Sequence, residues 1–263
     1  MKKVIFLSLI FTLSIFGDYS NHIDSKIVID ELVSKHGFDE SYVIEVLKNA
    51  EKREEMLQSV AKPAEKTKTW DEYKAIFIKT KRIRDGKKFI SKNITTLEKA
   101  EKEFGVPKEI ITAILGVETN YGSNKGGYRV IDSLTTLGFD DPRRSKFFRR
   151  ELIEFFLLTR ENNLDILNTK GSYAGAMGYG QFISSSYRAY AIDYDGDGYA
   201  DLFDSVDDSI GSTASYLARH GWKREGKIVT RTYPNNVRKF YKPHESLTRF
   251  IPLTFNENGE DLY

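Results

Sequence analysis

The chain has 263 residues, enough for one large domain or two small ones, and its 40% apolar and 13% aromatic residues suit a globular protein with a sizeable core. Lys and Arg number 40 against 38 Asp and Glu, a near balance that gives no case for a nucleic-acid partner. There is no Cys, so disulfides are excluded and the fold must hold by packing or metal.

Lys2 and Lys3 precede an apolar run from Val4 to Phe16. The run is shorter than the ~20 residues a bilayer span requires. It has the charged and apolar regions of a secretory signal, with Gly17 before the expected cut and Ile15 imperfect at the third position back. Residues 1–17 are therefore read as a signal peptide, which implies export to the periplasm or cell envelope; the alternative is an uncleaved anchor. Removing the segment leaves 38 basic against 38 acidic side chains.

Apolar spacing over Ile23 to Val33 predicts a helix stopped by Gly37, and Asp39 is placed to cap a second helix running to about Gln58. Ala61 to Thr69 is polar, contains Pro63 and reads as a linker. Trp70 and Tyr73 follow as W-x-x-Y, a pair that core packing alone would explain. The cluster Lys79, Lys81, Arg82, Arg84, Lys87 and Lys88 reads as a solvated face. A helix over Ser91 to Phe104 is closed by Gly105.

Pro107 suits the first position of the next helix, and Gly122 offers its stop. Ile111, Ile114, Leu115 and Glu118 stand at i, i+3, i+4 and i+7, so one apolar face ends in a carboxylic acid. Apolar surroundings raise a carboxyl pKa. A proton held towards neutral pH is what a general acid needs. The plain alternative is a helix-edge Glu that reaches for water.

Helical pattern continues over Ser133 to Leu137 and Phe147 to Leu158. Gly171 to Gly180 is a small-residue run of the kind that lets backbone approach a ligand. It lacks the G-K-[ST] ending of a phosphate loop. Asp193 to Asp204, DYDGDGYADLFD, reads as an EF-hand-like loop. Asp193, Asp195 and Asp197 fall at positions 1, 3 and 5, Gly198 at 6, the Tyr199 carbonyl at 7 and Asp201 at 9, a set suited to Ca2+. Position 12 holds Asp204 in place of the usual bidentate Glu. After Trp222 the chain turns β-prone, with KIVTRTY and FIPLTF, and a small hairpin element is expected over 223–263.

Five runs, AILGVETNYG, DPRRSKFF, KGSYAGAMGYGQFISSSY, DYDGDGYADLFD and IGSTASYLARHGW, closely resemble the membrane-bound lytic transglycosylase B family, glycoside hydrolase family 103, in order and spacing. The resemblance covers roughly Ile27 to Trp222. It implies a mainly helical, lysozyme-like α+β fold, with one catalytic region over 18–222, and Glu118 as the only catalytic carboxylate. It also implies cleavage of the β-1,4 bond between N-acetylmuramic acid and N-acetylglucosamine in peptidoglycan, with formation of a 1,6-anhydro sugar. Tyr73, Arg143, Arg144, Ser172, Gln181 and Tyr216 would line the glycan cleft.

Calcium would be a structural ion, closed by Asp207 or Asp208, and no organic cofactor is expected. Many relatives are lipoproteins attached through a Cys, a route closed to this chain. Membrane contact is expected only with an uncleaved signal. The sequence stops at Tyr263, short of an aromatic and Asn-containing segment found in relatives. Two alternatives stay open: a hydrolytic muramidase recruiting Asp132, Asp140 or Asp141 as second acid, and a peptidoglycan-binding protein that does not cleave.

Overall fold

The computed structural model describes residues 18–61 and 69–226, with the backbone of two short strands at 254–255 and 261–262. The signal assigned to 1–17, nearly all of the linker Ala61–Thr69 and most of the segment 223–263 lie outside the described residues. A 3-10 turn at Tyr19–Asn21 leads into α1 (Ser25–His36), α2 (Glu40–Lys48) and α3 (Glu54–Ala61). Then come α4 (Trp70–Phe77), α5 (Thr80–Lys92), α6 (Ile94–Phe104), α7 (Lys108–Thr119), β1 (Tyr128–Arg129), α8 (Val130–Asp140) and α9 (Ser145–Glu161). The order ends with β2 (Lys170–Gly171), α10 (Ser184–Tyr190), α11 (Val206–Arg219), β3 (Thr254–Phe255) and β4 (Asp261–Leu262). The strands pair antiparallel, β1 with β2 and β3 with β4, so the class is mainly helical with minor β elements, as expected. Among the described residues no helix is long and apolar enough to cross a membrane.

Within the region 18–222, contacts group the chain into two compact units, each made of separate stretches. The described residues before Thr67 and those from Gly127 to Ala176 form the first; those after Lys68 up to Gly126 and from Met177 onward form the second.

The first unit is organised by α8, which is buried from Val130 to Phe139. Helix α9 packs along it and buries Phe148, Leu152, Phe155 and Phe156, and α1, with Val28 and Leu32 buried, packs on α9. A helix buried on all sides must satisfy its own polar side chains. Here they bind neighbouring chain. Asp132, 1% exposed, accepts from the Glu51 N–H at 2.8 Å and holds the Arg129 guanidinium through both carboxylate oxygens, at 2.6 and 2.9 Å. Thr136 accepts from the Arg53 N–H at 3.1 Å, and Arg129 donates to the Asn49 carbonyl.

These bonds correct one sequence expectation. Asp39 caps α2 through the Tyr42 N–H, but α2 stops at Lys48 instead of running to Gln58. The N–H groups of Glu51 and Arg53, which a continuous helix would use internally, are claimed by α8. Tertiary bonds from about eighty residues away override a favourable local pattern.

In the second unit α5, α6, α7 and α11 surround Phe89, Leu97, Ala100, Val106, Ile111, Leu115, Ile210 and Ala214. Gly105 stops α6 in a left-handed conformation, and its carbonyl accepts from the Trp222 indole at 2.9 Å. Pro107 lies one residue earlier than expected, at the N-cap of α7, where its carbonyl accepts from Ile110 and Ile111.

Asp132→Ala should leave Arg129 and the Glu51 N–H facing a void. Removing one partner of a buried ion pair costs about 3–5 kcal/mol. At roughly 2–4 °C per kcal/mol for a chain of this size, thermal unfolding should begin at least ~6 °C lower. A shift within a degree or two in calorimetry would show that α8 does not anchor the α2–α3 connection.

Candidate active site

Glu118 stands in the last turn of α7, and its carboxyl is the starting point of the site. The side chain remains open to solvent, yet enough protein surrounds the carboxyl that desolvation alone pushes its pKa above the ordinary glutamate value. It makes no hydrogen bond or ion pair among the described residues, which leaves its proton free for a ligand.

The turn that follows fixes its position. Thr119 is 1% exposed; its hydroxyl donates to the Tyr179 carbonyl at 2.8 Å and accepts from the Gly122 N–H at 2.9 Å. Asn120 ends the helix in a left-handed conformation, φ 52°, two residues before the expected stop at Gly122. Tyr121 is also left-handed, φ 60°, a conformation costly for a bulky side chain unless the surroundings enforce it. They do: its hydroxyl donates to the Arg82 carbonyl at 2.9 Å, and its ring lies against Phe89 and over Gly116. A Cβ on Gly116 would stand 2.6 Å from the Tyr121 ring, so the helix must be bare there. Glu118 is thus held by the residues after it. Sequence reasoning assigned no role to Thr119, Tyr121 or Tyr179; the Asn at the helix end was the available signal, since Asn favours left-handed caps.

The remaining expected residues divide between the units. In the second, Gln181 has φ 51°, and its side-chain amide donates to the carbonyls of Gly178 at 3.0 Å and Lys125 at 3.3 Å. Tyr216 on α11 stacks on His220 at 3.9 Å and meets Phe182 and Tyr190 edge-on. Tyr73 on α4 packs edge-to-face on Phe77 at 5.1 Å. In the first unit, the Ser172 hydroxyl accepts from the Ala174 and Ala176 N–H groups, shaping the loop after β2. Arg143 and Arg144 are exposed; the Arg143 N–H donates to buried Asp141, and Arg144 lies 4.6 Å over the Phe147 ring. The small-residue run fits closely against the protein itself. A Cβ on Gly171 would fall 2.4 Å from the Ala176 carbonyl, and one on Gly178 2.3 Å from that of Leu202.

The acidic loop gathers Asp193, Asp195 and Asp197, one carboxylate oxygen of each lying within 4.8 Å of the others. Asp193 accepts from the N–H groups of Gly196, Asp197 and Gly198, and Asp197 from that of Tyr199. Asp208 stands apart. It is fully buried and receives the N–H groups of Tyr194, Asp195 and Asp201, so it braces the loop from beneath while burial pushes its pKa up. Asp207 accepts from the Thr96 hydroxyl through one oxygen only. Asp204 is paired with Lys125 at 3.2 Å.

Thr119→Val keeps the shape and removes the tie. An orphaned buried acceptor and donor cost about 1–3 kcal/mol, so the melting temperature should fall by several degrees. Any chemistry of Glu118 should fall with it below the melting point. Unaltered stability and unaltered turnover together would mean the turn is held by Tyr121 alone.

Comparison with known proteins places the chain in a family. The model of the transglycosylase SLT domain matches residues 24–255. The membrane-bound lytic murein transglycosylase B of Escherichia coli strain K12 is 41% identical over 222 residues, covering 81% of this chain and 61% of that protein. The chain therefore spans about three fifths of that relative's length. The soluble lytic transglycosylase SltB1 of Pseudomonas aeruginosa is 47% identical, with a TM-score of 0.73 over 76% of this chain and 68% of that one. The Escherichia coli lytic transglycosylase Slt35 in complex with calcium is 40% identical, with a TM-score of 0.75 over 81% of this chain and 67% of that one. The lysozyme-like fold class agrees with these likenesses, and the chain belongs to the transglycosylase SLT-domain family.

Proposed function

We propose that this protein is a peptidoglycan lytic transglycosylase of the cell envelope, with Glu118 as its single acid and base. The observation that carries the reading is the Glu118 carboxyl itself: raised in pKa by desolvation, without a hydrogen bond among the described residues, and held by a strained turn. In this mechanism Glu118 donates its proton to the glycosidic oxygen between N-acetylmuramic acid and N-acetylglucosamine. The resulting carboxylate then takes the proton of the muramyl 6-hydroxyl as that oxygen attacks the anomeric carbon. One C–O bond breaks, another forms, and Glu118 is regenerated protonated with no water consumed.

Hydrolysis needs a second carboxylate to activate water or trap the sugar. Of the acids considered for that, Asp132 is held by Arg129 and Asp140 by the Tyr19 hydroxyl and Lys52, while Asp141, 3% exposed, accepts from the Arg143 N–H through one oxygen and has its other oxygen buried without a partner among the described residues. We assign Tyr73, Ser172, Gln181 and Tyr216 to the sugar rings. Arg143 and Arg144 carry exposed guanidinium groups suited to the carboxylates of peptide stems.

Glu118→Gln should abolish cleavage of purified sacculi while leaving binding intact. Positioned acid–base catalysis contributes about 10²–10⁴ in rate, and one group doing both steps stands at or above that range. The acid must be protonated to act, and its pKa is raised. Cleavage should therefore hold above the ordinary glutamate pKa of about 4.3 and fall as pH rises through the higher value. Mass spectrometry should find 1,6-anhydromuramic ends. Reducing ends would indicate hydrolysis, and intact glycan a binding protein.

The acidic loop fits a structural Ca2+. Asp193, Asp195, Asp197 and the Tyr199 carbonyl form a hard-oxygen set, and three carboxylates this close repel one another without a cation. Of the two closing acids, Asp207 keeps one oxygen free of hydrogen bonds, whereas Asp208 spends both on backbone. The calcium complex of Slt35 supports the choice of ion. Calcium would offset most of the charge of the three carboxylates and take no part in the reaction. With no bidentate Glu at position 12, affinity should be about 10⁻⁴–10⁻³ M. A hundredfold excess over Kd should stabilise by about 2.7 kcal/mol. The melting temperature should rise with Ca2+ and rise less with Mg2+, and Asp195→Ala with Asp197→Ala should erase the rise. A curve indifferent to chelator and calcium would return the loop to a plain acidic turn.

A further inference from the structure

Helix α5 has one face the proposed reaction does not use. Gly86 and Phe89 are buried against the second unit's core, which turns Arg84, Lys87, Lys88 and Ser91 to the opposite side, with Lys92 beside them. These residues stand at i, i+3, i+4, i+7 and i+8, a contiguous stripe on an α-helix. All five are exposed. The only acid on the helix, Asp85, lies on the flank and is occupied by Lys81 at 2.6 Å, with Arg84 near it at 3.6 Å. Lys87, Lys88 and Lys92 make no ion pair among the described residues.

Charge is half of the pattern. Ile83 flanks the stripe on α5 and is 53% exposed, and Ile78, at the α4 end just before α5, is 63% exposed. Further along the same flank Ile90 is only partly buried, and Ile94 opens α6 at the surface. Lysines whose apolar stems reach past exposed isoleucines are the pattern of a helix lying in a membrane interface, with ammonium groups at the phosphates and aliphatic groups below them. A purely solvated face explains the cations but places no value on Ile78 and Ile83 in water. A glycan or peptide polyanion would match the cations and offer the isoleucines nothing.

We propose that the exposed face of α5 docks this protein on an anionic phospholipid surface through Arg84, Lys87, Lys88 and Lys92, with Ile78 and Ile83 inserted beside them. The inference is independent of the chemistry assigned to Glu118.

The test is sedimentation of the full chain with two sets of vesicles, one containing phosphatidylglycerol and one of pure phosphatidylcholine, at low and high salt. Binding should favour the anionic vesicles. It should weaken as the Debye length shortens from about 10 Å at 0.1 M to about 3 Å at 1 M salt. Each basic residue at an anionic surface is worth about a fivefold factor, so Lys87→Gln, Lys88→Gln and Lys92→Gln together should reduce partitioning roughly a hundredfold. Ile78→Ser with Ile83→Ser should weaken binding while preserving its salt response. All five positions are exposed, so melting temperatures should stay near that of the parent.

Equal partitioning onto phosphatidylcholine would point to the apolar run Val4–Phe16 and overturn the proposal. Unchanged binding by either variant overturns it as well. So does a lysine variant that loses sedimentation with purified sacculi but keeps it with anionic vesicles, since the cations would then serve the glycan.

Discussion

The hydroxyl of Thr119 ties together the turn that follows Glu118. It joins the end of α7 to the Tyr179 carbonyl and to the Gly122 N–H in the same turn. Two consecutive non-glycine residues, Asn120 and Tyr121, sit there in left-handed conformations. Such residues cost about 1–3 kcal/mol each and persist only where neighbours enforce them. The enforcement is visible in the anchored Tyr121 ring, the bare helix surface at Gly116 and the buried hydroxyl. The Glu118 carboxyl itself has no hydrogen bond among the described residues. The turn steadies it through the backbone instead.

Asp208 plays a related part in the acidic loop, with the opposite logic. It takes N–H groups from Tyr194, Asp195 and Asp201, gathering both ends of the loop onto the first turn of α11. Its neighbours Asp193, Asp195 and Asp197 stay exposed and close together. One acid is therefore spent on backbone so that three others can face outward as a group. Backbone bonds to Asp193 and Asp208 shape the loop, and in the proposed calcium site the cation would relieve the repulsion among those three.

Much of this was legible along the chain, and what was not has a common cause. The apolar stripe ending in Glu118 is a matter of helical period, and the stops at Gly37 and Gly105 are local backbone chemistry. Aspartates at EF-hand spacing likewise declare themselves in five residues. The interruption between α2 and α3 does not. It comes from Asp132 and Thr136, some eighty positions away, claiming two N–H groups that look free for a helix. Likewise the glycines of the small-residue run read as room for a ligand, whereas Gly171 and Gly178 make room for the protein's own carbonyls. The basic cluster before Ser91 was legible as charge but not as one stripe of α5, since the separation of cations from Phe89 is apparent only once the helix is drawn. Local rules were enough wherever a residue's partners were its neighbours.

Hydrogen bonding distinguishes Asp132 and Asp208 from Glu118 more sharply than burial does. Asp132 and Asp208 are the more deeply buried, and each is saturated by a guanidinium or by backbone N–H groups. Buried polar groups are nearly always satisfied in this way, because an unpaired one costs the full desolvation penalty. Glu118 is more open to water than either, yet desolvation still raises its pKa and nothing among the described residues bonds it. Solvent access allows the proton to be exchanged, and the surrounding protein makes its retention favourable. A saturated acid could do neither without breaking its own bonds first. In the proposed reaction the carboxyl's hydrogen-bonding capacity is kept for the glycosidic oxygen and the 6-hydroxyl, and Thr119 and Tyr121 meet the cost of holding it in place.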